Sequence, residues 1–226
     1  MKPVMIDLFC GAGGAGMGYK RAGFEIIGVD LDDQPNYPGE FIQGDWLVGL
    51  RSIIDRLNRE GRTFAIHASP PCQHYCMSVN TQWKDRKEEF PDLVSAVRSE
   101  LDVCGVPYVI ENVLGAPVRR DLILCGEMFG LRVIRHRAFE CAGFLVSQPK
   151  HKAHRPRVID PARKRGGHSY YYQVAGNGGE SPDYTMSNWR EAMGVDWPMV
   201  KDELVEAIPP AYTEWIGSAL ISQIEQ

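Results

Sequence analysis

Residues 3–9 (PVMIDLF) form a short apolar run broken only by Asp7, and the cluster GAGGAG follows at once. That pattern predicts a buried strand, a tight turn and the opening of a helix. A second strand is predicted at 25–29 (EIIGV), ending in Asp30. Leu47, Leu50, Ile53, Ile54 and Leu57 then recur at helical spacing. Residues 63–68 (TFAIHA) read as strand again and stop at SPPC, where two adjacent prolines end regular structure. Leu93, Val97, Leu101 and Cys104 mark a helix from Pro91 to Cys104, with Pro91 suited to its first turn. The strand 107–110 (PYVI) delivers Glu111 and Asn112.

Strands alternating with helices over 3–112 predict an α/β fold, a parallel sheet covered on both faces. Ligands bind such sheets at the carboxyl ends of the strands. The motifs after residues 9, 68 and 110 all fall there. From 141 to 186 the rhythm gives way to scattered Pro, Gly, basic and aromatic residues, including GNGGESP at 176–182, which predicts a small irregular lobe. Helical pattern returns at Trp189–Met193 and after Pro210, where Ala211, Trp215, Ala219 and Leu220 share a face. The organisation expected is a catalytic and cofactor-binding domain at 1–140, the lobe at 141–186, and a segment at 187–226 returning to the first domain. Trp189 to Trp197 is expected to be core beneath the lobe.

The 226 residues, 44% hydrophobic and 24% charged, fit one globular domain and exclude a disordered, collagenous or coiled-coil chain. No apolar run is long enough for a membrane span, and residues 1–10 are too short and polar for a signal peptide, so a cytoplasmic monomer is expected. Six cysteines without a C-x-x-C pair predict reduced thiols, with Cys104, Cys125 and Cys141 as small buried apolar groups. The net charge of -4 conceals residues 150–168, which carry seven cations against one anion, together with His151, His154 and His168, and are followed by three tyrosines. This stretch is either a polyanion-contacting loop or a solvated charged one. The three histidines with Cys141 match no common zinc-finger spacing, so no metal is expected.

Gly11, Gly13 and Gly16 satisfy G-x-G-x-x-G after a strand, and Asp30 lies nineteen residues beyond Gly11. A helix opening there offers unpaired N–H groups, and a carboxylate accepts from ribose hydroxyls, so a nucleotide-bearing ligand is expected; packing glycines are the alternative. Pro70 and Pro71 stiffen the backbone before Cys72, holding a thiol at the top of the sheet where it can act as a nucleophile. Glu111, desolvated at a strand end, can keep a proton at neutral pH and serve as general acid. Arg135 and Arg137, two apart in the extended stretch RVIRHRAFE, point to one side and can meet a carboxylate or an oxygen acceptor.

The order of these motifs carries more than any one of them. DLFCGAGG, an acidic residue after the second strand, GDW, SPPCQ, ENV, R-x-R and a C-terminal IPPAY helix together resemble the DNA (cytosine-5) methyltransferases, in family order from Ile6 to about Leu220, and the chain is most similar to short bacteriophage-encoded members. The resemblance implies a Rossmann-like S-adenosylmethionine-dependent methyltransferase fold with a small target-recognition lobe, acting on double-stranded DNA in a bacterial or phage-infected cell. Phe9 would face the sulfonium, the turn Cys10, Gly11, Ala12, Gly13 and Gly14 would cradle S-adenosylmethionine, and Asp30 would bind its ribose. Leu31 would pack on the adenine and Asp45 with Trp46 would read its edge, with Pro71, Ala207 and Ile208 also in contact. Cys72 would attack carbon 6 of a flipped cytosine while Glu111 protonates nitrogen 3; Arg137 would hold O2 and Arg135 would orient Glu111. Gln73, Asn112, Arg155, Arg157, Arg163, Lys164 and Arg165 would contact the substrate.

Two positions depart from the family pattern: Val133 stands where the arginine motif usually begins with glutamine, and Val205–Glu206 stand where Gly-Asn is usual. The region between Arg137 and Trp189 is short for the family, which implies a recognition sequence of about two to four base pairs, each direct contact giving roughly 1–3 kcal/mol of discrimination. Three other readings remain: the same thiolate chemistry on cytosine in RNA, an NAD-dependent oxidoreductase built on the glycine motif and Asp30 alone, and a catalytically idle DNA-binding relative.

Overall fold

The first apolar run forms β1 (Val4–Leu8), buried along its whole length because it lies at the centre of a sheet with helices on both faces. Its alternate side chains divide between two cores. Val4, Ile6 and Leu8 pack with Leu50, Ile53 and Leu57 of α2 (Trp46–Glu60) and with Val94, Val97 and Leu101 of α3 (Val94–Cys104). Met5 turns to the other face, toward Tyr19 of α1 (Gly14–Ala22) and Tyr212, Ile216 and Leu220 of α6 (Pro210–Ile224). The computed structural model describes residues 1–75, 92–155, 170–174 and 185–224.

The remaining strands are β2 (Glu25–Asp30), β3 (Glu40–Gln43), β4 (Phe64–Ala68), β5 (Tyr108–Asn112), β6 (Leu122–Leu124) and β7 (Arg137–Ala142). They form one seven-stranded sheet in the order β3-β2-β1-β4-β5-β7-β6. The first five in that order are parallel, as the alternation predicts, whereas β7 runs antiparallel between β5 and β6. The strand order reverses between β1 and β4, so the crevice at their carboxyl ends is the topological switch point.

Helices α1 and α6 touch almost backbone to backbone. A Cβ on Gly18 would collide with Thr213 Oγ1 and the Pro210 carbonyl, and the Thr213 hydroxyl donates to the Ala15 carbonyl at 2.8 Å. A third cluster lies over the glycine turn, where Trp189 and Met193 of α4 (Met186–Met193), Val195, Trp197, Met199 and Leu204 of α5 (Lys201–Glu206) pack against Ala12, Val133 and Val174. Trp189 is core, as expected, and α4 starts three residues earlier than its apolar pattern indicates, capped by the Thr185 hydroxyl. The division expected at 140/141 falls inside β7, which continues to Ala142.

Candidate functional site

The turn after β1 separates its glycines into two kinds. Gly11 has φ 48° and nothing within 4 Å of where a Cβ would stand, so its backbone faces open space. Gly13, Gly14 and Gly16 are instead packed: a Cβ on Gly14 would lie 2.6 Å from the Ile208 carbonyl and one on Gly16 2.7 Å from the Tyr37 hydroxyl. The packing reading of the motif thus holds for Gly13, Gly14 and Gly16, and Gly11 alone leaves room. Phe9, at φ 58°, is the one non-glycine residue with left-handed backbone among those described, and its ring lies 5.7 Å from Trp46. The strain persists because Asp30, at the end of β2, takes the Gly11 N–H at 2.9 Å and fixes the turn.

Around this turn Leu31 is 73% exposed, an apolar side chain that the fold leaves uncovered beside Asp30. The Asp45 carboxylate caps α2, accepting from the Leu47 and Val48 N–H groups. The Cys10 side chain is buried with Tyr37, so Cys10 offers the turn its backbone alone. Ala207 and Ile208 close the turn from the C-terminal side against Gly14. Trp197, which the sequence motifs do not mark, donates its indole N–H to the Ala12 carbonyl at 3.0 Å and ties the third cluster to the turn. Glu206 is held above the usual carboxylate range by burial and by the carboxylates of Asp202, Asp30 and Asp32. One of the two departures thus adds a further acidic group to this side of the crevice.

Cys72 and Glu111 come from neighbouring strands, β4 and β5, paired through Ala68 and Ile110 at their carboxyl ends. Cys72 is half-buried in the loop that leaves β4, and Pro71 and Gln73 beside it are exposed. Asn112, expected to contact substrate, is 1% exposed and spent internally: its amide donates to the Pro70 carbonyl at 2.9 Å and accepts from the Val113 N–H. It positions the proline loop and does not reach the crevice.

A buried polar chain reaches Glu111 from below. Burial alone drives His67 down to about 3, so its ring is neutral. The Ser69 hydroxyl donates to the Glu111 carboxylate, which leaves Ser69 Oγ as acceptor for His67 Nε2 at 2.8 Å; His67 Nδ1 then accepts from the Tyr19 hydroxyl at 3.0 Å. Burial raises Glu111 above its ordinary range, with Arg137, Ser69 and Arg135 offsetting only part of the shift.

The two arginines divide differently from expectation. Arg137 Nε lies 3.1 Å from Glu111 Oε1, so Arg137 makes the ion pair assigned to Arg135. Arg135 donates to the carbonyls of Val174, Val205 and Glu206, and its own carbonyl accepts from the Tyr212 hydroxyl. Its guanidinium is lowered to about 10 by burial and stays charged. Val133, the other departure, is buried in the third cluster and bridges to Tyr172.

Of the basic residues expected at the substrate, Arg155 is described and exposed, with its guanidinium 3.9 Å from the Tyr170 ring centre. Arg157, Arg163, Lys164 and Arg165 lie outside the described residues, as do His168 and GNGGESP. The three tyrosines that follow the basic stretch meet the protein's own groups: Arg132 stacks on Tyr170 and Tyr172, and Tyr171 is buried, donating to Glu127 at 2.7 Å. Cys141 is buried in β7 as a small apolar group, whereas Cys125, expected to be the same, meets His136, His151 and His154. The described cysteines are all free thiols, and no helix among the described residues is long and apolar enough to cross a membrane.

No protein-family model matches the chain. It is similar to the Type II methyltransferase M.XorII of Xanthomonas oryzae pv. oryzae, 27% identical over 127 residues covering 52% of this chain and 30% of that protein. It is similar also to the Type II methyltransferase M.AgeI of Thalassovita gelatinovora, 26% identical over 145 residues covering 55% of this chain and 32% of that protein. The chain thus spans about a third of the length of the curated relatives it matches. A solved chain assigned as a DNA modification methyltransferase encoded within an E. coli prophage superposes with TM-score 0.63 at 15% identity, covering all of both chains. The fold is Rossmann-like, of the methyltransferase type.

Proposed function

We propose that this chain transfers a methyl group from S-adenosylmethionine to carbon 5 of a cytosine in double-stranded DNA through a covalent adduct on Cys72. The observation that carries the reading is that a half-buried thiol in the loop leaving β4, a desolvated carboxyl with a raised pKa on adjacent β5 and an open glycine turn after β1 all lie at the carboxyl edge of one parallel sheet. The named Type II methyltransferase relatives support the activity at the level of DNA methylation.

The residues at the turn fit the cofactor. Gly11 leaves room where a side chain would stand, Asp30 presents a carboxylate at a strand end for ribose hydroxyls, and the uncovered Leu31 offers an apolar surface for adenine. Phe9 and Trp46 add aromatic rings, which attract a cation. When bound, S-adenosylmethionine supplies an electrophilic methyl group on a sulfonium.

Cytosine carbon 5 is a poor nucleophile until a thiolate has added to carbon 6. The Cys72 thiolate forms that bond as Glu111 delivers its proton to nitrogen 3, so the ring electrons settle as an enamine and carbon 5 becomes nucleophilic. After methylation a base removes the carbon 5 proton, the Cys72–carbon 6 bond breaks to release the thiolate, and nitrogen 3 returns its proton to Glu111. Arg137, paired with Glu111, supports the carboxyl and stands ready for O2 of the base. The target must leave the stack to be reached, at a cost of roughly a few kcal/mol.

Duplex DNA carrying 5-fluorocytosine tests this reading, because fluorine cannot leave as a cation and the adduct is trapped. With S-adenosylmethionine present the wild type is expected to form a denaturation-resistant complex and Cys72→Ala none. An adduct with the alanine variant, or none with an active wild type, overturns the assignment.

A further inference from the structure

Four side chains outside the crevice converge on one point. Cys125 immediately follows β6, His136 immediately precedes β7, and His151 and His154 lie on the segment that leaves β7 for the lobe. One ligand atom from each falls within 4.8 Å of all the others. Cys125 Sγ is 3.4 Å from His154 Nε2, and His136 Nε2 is 3.3 Å from His151 Nε2. With Zn–N near 2.0–2.1 Å and Zn–S near 2.3 Å, a tetrahedral ion requires edges of about 3.3 Å between nitrogens and about 3.5 Å between nitrogen and sulfur. Two edges already have these lengths, and less than about 1.5 Å of closure brings in the rest.

We propose that Cys125, His136, His151 and His154 form a structural zinc site that fastens the root of the lobe to the β6–β7 edge of the sheet. One thiolate and three imidazoles suit zinc and exclude calcium and magnesium, which take oxygen ligands. Four protein ligands fill the tetrahedron and leave no position for substrate, so the site holds structure and takes no part in turnover. Loading replaces the Cys125 S–H bond with a sulfur–zinc bond and releases the proton to solvent.

The location explains the need. Residues 143–155 contain no helix or strand, and Leu145 is 83% exposed, so this segment buries little of its own. Small units with so little core are commonly stapled by metal. Tyr171 packs its ring 5.9 Å from His154 while its hydroxyl accepts from the Arg155 N–H, so a second stretch of the lobe rests on the same point. The site stands whether or not the chain methylates DNA.

The test uses the full chain purified without an oligohistidine tag, with zinc counted by elemental analysis and cobalt(II) and magnesium as probes of the metal-free protein. One zinc per chain is expected, with a tetrahedral cobalt spectrum that includes a thiolate charge-transfer band and no response to magnesium. His151 is exposed, so His151→Gln is expected to fold and to lose zinc affinity by at least tenfold. Cys125→Ser is expected to lose the charge-transfer band; should it fail to fold, His151→Gln and His154→Gln decide. A wild type that takes up no zinc, or variants that keep one zinc with unchanged affinity and spectrum, overturns the proposal.

Discussion

A carboxyl that must hand a proton to the base works only while it holds one, and Glu111 is pushed upward chiefly by burial. Turnover is therefore expected to fall as pH rises through its shifted value. Glu111→Gln, which keeps the shape without a transferable proton, is expected to lose about 10²–10⁴-fold in methyl transfer and to lose that limb of the profile. Single-turnover rates across pH measure both; a limb that survives in the Gln variant assigns it to another group. Asp7 carries a similar argument into stability. Buried in β1, it is raised to about 8, mainly by desolvation, and Tyr37 donates to its Oδ2. The folded state keeps its proton where the unfolded chain has released it, so this contribution is intact below about pH 4 and is lost as pH rises toward 8. Asp7→Asn is expected to flatten the decline, on the order of 1 kcal/mol per pH unit, in urea unfolding between pH 5 and 8.

Helix α1 owes its place to glycines that serve packing, whereas Gly11 serves the crevice, and substitution separates the two. Gly18→Ala forces α1 from α6 and is expected to cost about 2–4 kcal/mol, like other overpacked buried contacts. Gly11→Ala meets open space, pays only about 1 kcal/mol for its positive φ, and is expected to act on S-adenosylmethionine affinity instead. Thermal unfolding beside calorimetric titration distinguishes them; equal stability losses would show that Gly11 is a packing residue too. The apolar pattern made legible the strands buried on both faces, β1, β2, β4 and β5, as short unbroken apolar runs, and the helices α2, α3 and α6 by the spacing of their apolar positions. It did not mark β3, β6 or α5, which have four, three and six residues and too few periods to stand out. Placement was legible for Cys72 and Glu111, which follow the apolar runs of β4 and β5. Side-chain direction was not legible for Asn112 or Arg135, because their hydrogen-bond partners at Pro70, Val174 and Val205 lie 42, 39 and 70 residues away. The histidine cluster stayed hidden for the same reason: Cys125 and His136 reach His151 and His154 only once β7 has turned back along β5.

Three distant parts of the chain meet at Arg135: the approach to β7, residue 174 in the lobe, and the end of α5 that leads to α6. Arg137, two residues on, belongs to the crevice through Glu111. Neighbours in sequence thus act at different scales, and the pair of alanine variants exposes it. Arg135→Ala strands buried carbonyls and removes the link between lobe and C-terminal segment, so it is expected to destabilise the fold by about 2–4 kcal/mol. Below its lowered melting temperature it should still methylate at a rate within about tenfold of the wild type, since its guanidinium donates to backbone carbonyls and its charge is the weakest of the groups that lower the Glu111 pKa. Arg137→Ala removes a partner of the general acid and should show the converse: a smaller loss of stability with a steep fall in methyl transfer and a further rise in the Glu111 pKa, because the ion pair that opposes burial is gone. Melting curves and single-turnover rates on both variants test the division. If Arg135→Ala melts like the wild type but cannot methylate, the arginine motif acts as one unit on the base, and the lobe must be fastened to the C-terminal segment by other contacts.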